Sequence, residues 1–287
     1  MTTINPKTAF VLVHGSWHGA WCWGHVEHYL NLAGHLTVAI DLPGHGLSAR
    51  IPKSFNKRPL DAKTFETEQS AFAAIEIEEY TAAVIGGADR ARAMGADNIV
   101  AVGHSMGGVP LSFAAAHAPE KFDALVYLAA LATLPGKPSK YYLDKADQSS
   151  KEQLTPFVIG EPDDIGAIRI DTRSTDADYA AAGKSALAAD VDPVIWDTVL
   201  HLLTPDAPEK MHRQYPEFKQ GFGALKRTYI RCLHDLAILP STGEAIVADM
   251  NALWPDNPTK LVDMDCAHEP MFAKPEELAR MLVASLS

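Results

Sequence analysis

Short, unbroken apolar runs alternate along this chain with longer stretches whose apolar positions recur at helical spacing. The first run, Thr8-Ala9-Phe10-Val11-Leu12-Val13, has no polar face. It predicts a strand buried on both sides, as in a parallel sheet. Residues 36–40, 98–102, 122–130, 224–233 and 259–264 predict further strands. Between them, helices are expected over 23–33, 71–94, 108–117, 241–253 and 275–286. Gly34 and Gly95 mark two helix ends, Ser241 with Glu244 suggests a cap, and Pro275 suits a helix start. The pair Gly86-Gly87 weakens the middle of its helix.

Two stretches break the alternation. Residues 50–68 are polar, contain proline and follow no clean period, which predicts a long surface loop. Residues 135–219 turn more polar and acidic, with helix-like pieces at 141–147, 176–189 and 194–202. They predict a helical lid inserted after the strand that follows the 108–117 helix. Strands alternating with helices predict an α/β fold: one domain over 1–287 on a doubly wound, mostly parallel sheet.

Composition narrows the function classes. The 287 residues are 47% hydrophobic and 21% charged, with 25 basic against 36 acidic side chains and a net charge of −11. No basic block offers itself to nucleic acid or to an anionic membrane. The three cysteines, Cys22, Cys232 and Cys266, lack metal or redox spacing and suit a cytoplasmic protein with reduced thiols. No H-E-x-x-H spacing and no G-x-G-x-x-G after the first strand occur, so neither a metal nor a cofactor is expected. A small-molecule partner is expected; a homo-oligomer is left open.

The chemistry gathers at predicted strand ends. Gly103-His104-Ser105-Met106-Gly107 lies between a β-branched run and an Ala-rich helix, the strand–turn–helix context of a nucleophile elbow. A serine hydroxyl needs a base that titrates near neutrality, and a histidine needs a carboxylate to fix its tautomer. Ser105, Asp235 and His268 follow in the chain order Ser…Asp…His. His234 and His45 read as loop residues, while Asp263 and Asp265 rival Asp235 for the acid. The backbone N–H groups of Ser16 and Met106 are the expected oxyanion donors. Trp17, Phe157, Trp196, Met211 and Tyr215 are candidates for the substrate pocket. Trp21 and Trp23 more naturally staple the next helix to the core.

Together these residues resemble the α/β-hydrolase superfamily. The resemblance runs from His14-Gly15 through Asp41-Leu42-Pro43-Gly44-His45-Gly46 and the serine pentapeptide to Asp235 and His268. It covers nearly the whole chain outside the 135–219 insertion and implies the α/β-hydrolase fold. The segment His14-Gly15-Ser16-Trp17-His18-Gly19-Ala20-Trp21-Cys22-Trp23 is similar to the branch of plant methyl esterases, hydroxynitrile lyases and related bacterial esterases. The lyases of that branch usually carry a threonine after the first histidine and a lysine after the catalytic one. Here those positions hold Gly15 and Glu269. A lysine suits a cyanide anion and a glutamate repels it, so the resemblance implies a serine esterase acting on a small carboxylic ester. A cyanohydrin lyase, a lactonase and a non-catalytic small-molecule receptor are the alternatives.

Overall fold

The computed structural model describes residues 7–145 and 154–285. Six parallel strands form the central sheet: β1 Thr8–Val13, β2 Leu36–Ile40, β3 Asn98–His104, β4 Ala124–Leu128, β7 Lys226–Cys232 and β8 Lys260–Met264. Their order is β2-β1-β3-β4-β7-β8. The chain steps from β1 to one side, then crosses back to place β3 on the other. That reversal opens a crevice at the carboxyl ends of β1 and β3, where such sheets bind ligands.

The inner strands β1, β3 and β4 have two buried faces. Val11, Ala101 and Tyr127 belong to one core with α3 (Ile77–Ala93), α4 (Gly108–His117) and the helix Pro240–Leu253. Phe10, Leu12, Val100 and Val126 belong to the other, with α1 (Gly24–Leu32) and the helix Pro275–Ala284. Continuous apolar runs follow from this two-sided burial.

Several expectations need correction. The helix expected from residue 71 begins at Ile77, behind a separate turn, Ala71–Ala74, that Ser70 caps. Gly87 does not weaken α3. A Cβ there would lie 2.8 Å from Val11 Cγ1 and 3.1 Å from Ile40 Cγ2, so its absence lets the helix press onto the sheet. Ser241 is no cap: Pro240 occupies the first helical turn, preceded by Leu239. The expected helix ends at Asp147 and Leu286 lie outside the described residues.

Residues 50–68 are no simple surface loop. They contain the turn Ser54–Asn56 and α2 (Ala62–Thr67), capped by Asp61. Phe55 and Phe65 are buried with ring centroids 5.5 Å apart. Glu68 ties the segment shut by accepting from the backbone N–H groups of Lys53 and Ser54 at 2.9 and 2.8 Å.

The stretch between β4 and β7 is not purely helical either. Besides Ser139–Lys145, Ala177–Leu187 and Pro193–Leu202, it holds an antiparallel pair, β5 Ala167–Arg169 and β6 Asp206–Pro208. The fully buried Arg169 joins this pair to the 54–68 segment. Its guanidinium grips Asp206 with two hydrogen bonds of 2.7 and 2.8 Å and donates to the carbonyls of Phe65 and Glu68. Among the described residues, no helix is long and apolar enough to cross a membrane.

Candidate active site

Ser105 sits between β3 and α4 with φ at +52°, in the left-handed region that costs a residue with a Cβ. The neighbouring glycines make this turn possible. A Cβ on Gly107 would lie 2.4 Å from the His14 carbonyl oxygen, and one on Gly108 would lie 2.1 Å from that of Leu131. A Cβ on Gly15 would lie 2.9 Å from Ser105 Cβ, so the loop after β1 closes directly onto the serine.

His268, from the loop after β8, reaches the serine. Its Nε2 lies 3.0 Å from Ser105 Oγ, and its Nδ1 lies 2.7 Å from Asp235 Oδ2. Asp235 follows β7 and is 1% exposed; His268 is 2% exposed and Ser105 8%. The second Asp235 oxygen accepts from the backbone N–H groups of Ala237 and Ile238, both at 2.8 Å. Burial lowers the pKa of His268, the charge and hydrogen bond of Asp235 raise it overall, and an ionised Glu269 would raise it further. The rival acids face elsewhere. Asp265 pairs with His234 at the surface, and Asp263 pairs with Arg231.

The expected oxyanion donors flank this serine. Met106 is buried at the start of the turn leading into α4, where N–H groups lack intrahelical partners. Ser16 follows Gly15 on the loop pressed against Ser105. Three histidines set that loop. His14 Nδ1 donates to the Gly15 carbonyl at 2.8 Å while its Nε2 accepts from the Leu42 N–H at 3.0 Å. The His45 ring packs edge-on against His14, consistent with a structural role. His18 Nδ1 donates to the Ser16 carbonyl at 2.7 Å.

The pocket candidates divide. Trp17 follows Ser16 and also has positive φ, +64°. Its Nε1 donates to the Ile168 carbonyl at 2.9 Å, and its own carbonyl accepts from the N–H and hydroxyl of Thr204 at 2.8 and 3.0 Å. Phe157 packs edge-on against Trp17, and Trp196 is buried in the same core. Met211 lies in the opposite core. Tyr215 is a correction: it is 53% exposed and lines a groove of about 730 Å³ with Ile77, Thr81, Phe113 and His117. No member of the serine's surroundings lines that groove. Aromatic character alone had suggested Tyr215, and it carries no information about which side of α4 a residue reaches.

Glu269 differs from the expected fully charged residue. It is 1% exposed, and burial pushes its carboxyl up to about 8. Burial therefore favours its uncharged form, which weakens the repulsion of an anion expected at this position. No local pattern announces this, because burial by distant segments decides it. Among the described residues, one set of side chains comes close enough to suggest a metal: His104, His268 and Glu269, with ligand atoms within 4.8 Å. Both His268 nitrogens and His104 Nε2 already hold hydrogen-bond partners. Two donors remain, too few for a bound ion.

Comparison with known proteins adds family context to this geometry. Residues 10–281 match the model of the alpha/beta hydrolase family. Methylesterase 9 of Arabidopsis thaliana is 29% identical, over 96% of this chain and 96% of that protein. Methylesterase 7 of the same plant is 27% identical, over 97% and 96%. Among solved structures, a pyrethroid hydrolase superposes with a TM-score of 0.73 at 19% identity, covering 97% of this chain and 96% of its own. Polyneuridine aldehyde esterase superposes with a TM-score of 0.69 at 20% identity, covering 98% and 100%.

Proposed function

The chain belongs to the alpha/beta hydrolase family, and from that premise we propose that it is a serine esterase cleaving a small carboxylic ester through an acyl-serine intermediate. The observation that carries the reading is the buried relay from Ser105 Oγ through His268 to Asp235, at 3.0 and 2.7 Å. Relatives named as methylesterases support the ester as the bond broken. The 8% exposure of Ser105 supports a small substrate on a narrow approach.

The steps follow from the geometry. Asp235 accepts from His268 Nδ1–H, so the neutral ring presents its Nε2 lone pair to the serine. Ser105 Oγ attacks the ester carbonyl as its proton passes to Nε2. The carbonyl oxygen becomes an oxyanion beside the N–H groups of Ser16 and Met106, whose dipoles are already fixed when charge develops. The imidazolium returns the proton to the departing alkoxide, leaving acyl-Ser105 and an alcohol. Water then repeats the sequence, and carboxylic acid and free Ser105 result. A lactone would follow the same path.

The test is hydrolysis of p-nitrophenyl acetate and longer-chain esters by the wild type and Ser105→Ala, with mass spectrometry after a phosphonate probe. Loss of turnover on the order of 10⁶-fold is expected, with the label on Ser105. Undiminished turnover in Ser105→Ala overturns the reading. Labelling of Ser105 without ester turnover would redirect the search to lactones and cyanohydrins.

A further inference from the structure

Beside His268 lies a buried polar cluster that the acyl-transfer steps leave unused. His18 Nδ1 stands 2.7 Å from the Ser16 carbonyl oxygen. A carbonyl only accepts, so Nδ1 carries the hydrogen and a neutral His18 presents Nε2 as a bare lone pair. The same logic applies to His104. Its Nε2 stands 2.9 Å from the His268 carbonyl, so Nδ1 is bare. Among the described residues, neither bare nitrogen finds a hydrogen-bond partner, and Glu269 Oε2 finds none either. That oxygen lies 3.5 Å from His18 Nε2, with both residues at most 2% exposed. The rings of Trp21 and Phe272 pack along His18, with centroids 5.5 and 6.0 Å away.

With Glu269 ionised, two acceptors, His18 Nε2 and Glu269 Oε2, face each other with no hydrogen between them. Unpaired buried acceptors of this kind are costly. One proton resolves the arrangement. On Glu269 it is donated to His18 Nε2. On His18 it creates a buried ion pair that must be desolvated on both sides. Burial lowers His18 to about 3 and raises Glu269 to about 8, which favours the neutral pair. Every segment around Glu269 brings a titratable group. His18 and Cys22 come from the loop and turn after β1, His104 from β3, Asp235 from the loop after β7, Asp190 from the β4–β7 stretch, and His268 is its neighbour. The two aspartates favour retention of the proton; His268 opposes them.

We propose that Glu269 is a positioning residue kept as a neutral carboxylic acid, its proton shared with His18 Nε2, and that this neutrality keeps His268 free to act as the base at neutral pH. The proposal rests on the esterase reading for its functional meaning. A carboxylate here would add a second negative charge against His268, beyond Asp235, and hold the ring in its protonated, non-basic form.

Two measurements test it. The first needs no substrate: infrared and ¹⁵N imidazole spectra of the wild type and Glu269→Gln across pH. A protonated-carboxyl carbonyl band is expected at neutral pH, lost on raising the pH and absent from the variant. The His268 ring signals should show a second titration step that coincides with the loss of that band and vanishes in Glu269→Gln. A doubly protonated His18, a missing band, or a second step that persists in the variant overturns the proposal. The second measurement is the pH profile of kcat/KM. Gln keeps the shape and the neutral state, so the acid limb should keep its midpoint. A drop of about one unit or more, the response to removing a nearby charge, overturns the proposal. Turnover that survives Ser105→Ala would defeat the esterase reading and leave the spectroscopic result standing. Failed spectra with Ser105-dependent turnover would defeat the proposal alone.

Discussion

Replacing Asp235 with Asn should disable the base while leaving the fold intact, and the reason lies in three hydrogen bonds. Asp235 Oδ1 accepts from the N–H groups of Ala237 and Ile238, at 2.8 Å each, and Oδ2 lies 2.7 Å from His268 Nδ1. An asparagine has one oxygen, and the two N–H donors claim it. Its NH₂ is then forced toward His268, where two N–H groups cannot face each other. Nδ1 must give up its hydrogen and become the acceptor. The ring's hydrogen moves to Nε2, which now donates to Ser105 Oγ at 3.0 Å instead of taking its proton. The wrong tautomer in such a relay costs about 10⁴-fold in kcat, or about 5 kcal/mol of barrier. Single-turnover ester hydrolysis reads the loss, and ¹⁵N spectra read the tautomer directly. Asp235→Asn keeps both backbone bonds, so its thermal unfolding should stay close to that of the wild type. A variant that keeps kcat within tenfold of the wild type, while still folded, would refute the reasoning.

Two further predictions concern stability. Arg169→Met strands Asp206 as an unpaired buried charge and frees two carbonyls. It should cost about 3–5 kcal/mol, roughly 2–4 °C in Tm for each kcal/mol. Arg169→Met with Asp206→Leu should recover much of that in urea unfolding, and a single-variant cost under about 1 kcal/mol would contradict the account. Glu269, raised from 4.5 to about 8, binds a proton when folded at pH values where the unfolded chain has lost it. Its contribution therefore falls as pH rises through that window, at up to about 1.4 kcal/mol per unit. His14 and His212, lowered to about 4, and His18, lowered to about 3, work oppositely: their contribution is lost as pH falls below their usual 6.5. Urea unfolding of Glu269→Gln should show a shallower fall between about pH 4.5 and 8, and an unchanged slope there would count against a buried, neutral Glu269.

Where a local signal existed, the residues revealed their structure before any coordinates. Thr8–Val13 and Ala124–Leu128 are apolar on both faces, and both are central strands. The serine turn was legible because its glycines have a steric purpose that leaves a pattern. Phe65 was illegible because it packs under Arg169, and Phe55 because it packs on Phe65 and under Arg173, both arginines more than a hundred residues away. The three-residue strands β5 and β6 have no room for a period. Glu269 reads from the sequence as a charged neighbour of His268, since nothing along the chain announces His18 and Asp190 packing near it.

Trp17 has a consequence for anyone who would re-engineer specificity by transplanting the β4–β7 stretch from a relative. The indole is anchored to the Ile168 carbonyl, and the Trp17 carbonyl is anchored to Thr204. Ser16, whose amide is the expected oxyanion donor, is the residue before it. The stretch and the donor loop are therefore one mechanical part and not interchangeable modules. A graft inherits catalytic geometry only if it brings a carbonyl to the position of residue 168 and a hydroxyl to that of residue 204. Recombination among relatives should succeed at breakpoints that keep these anchors with residues 15–17 and fail at those that separate them.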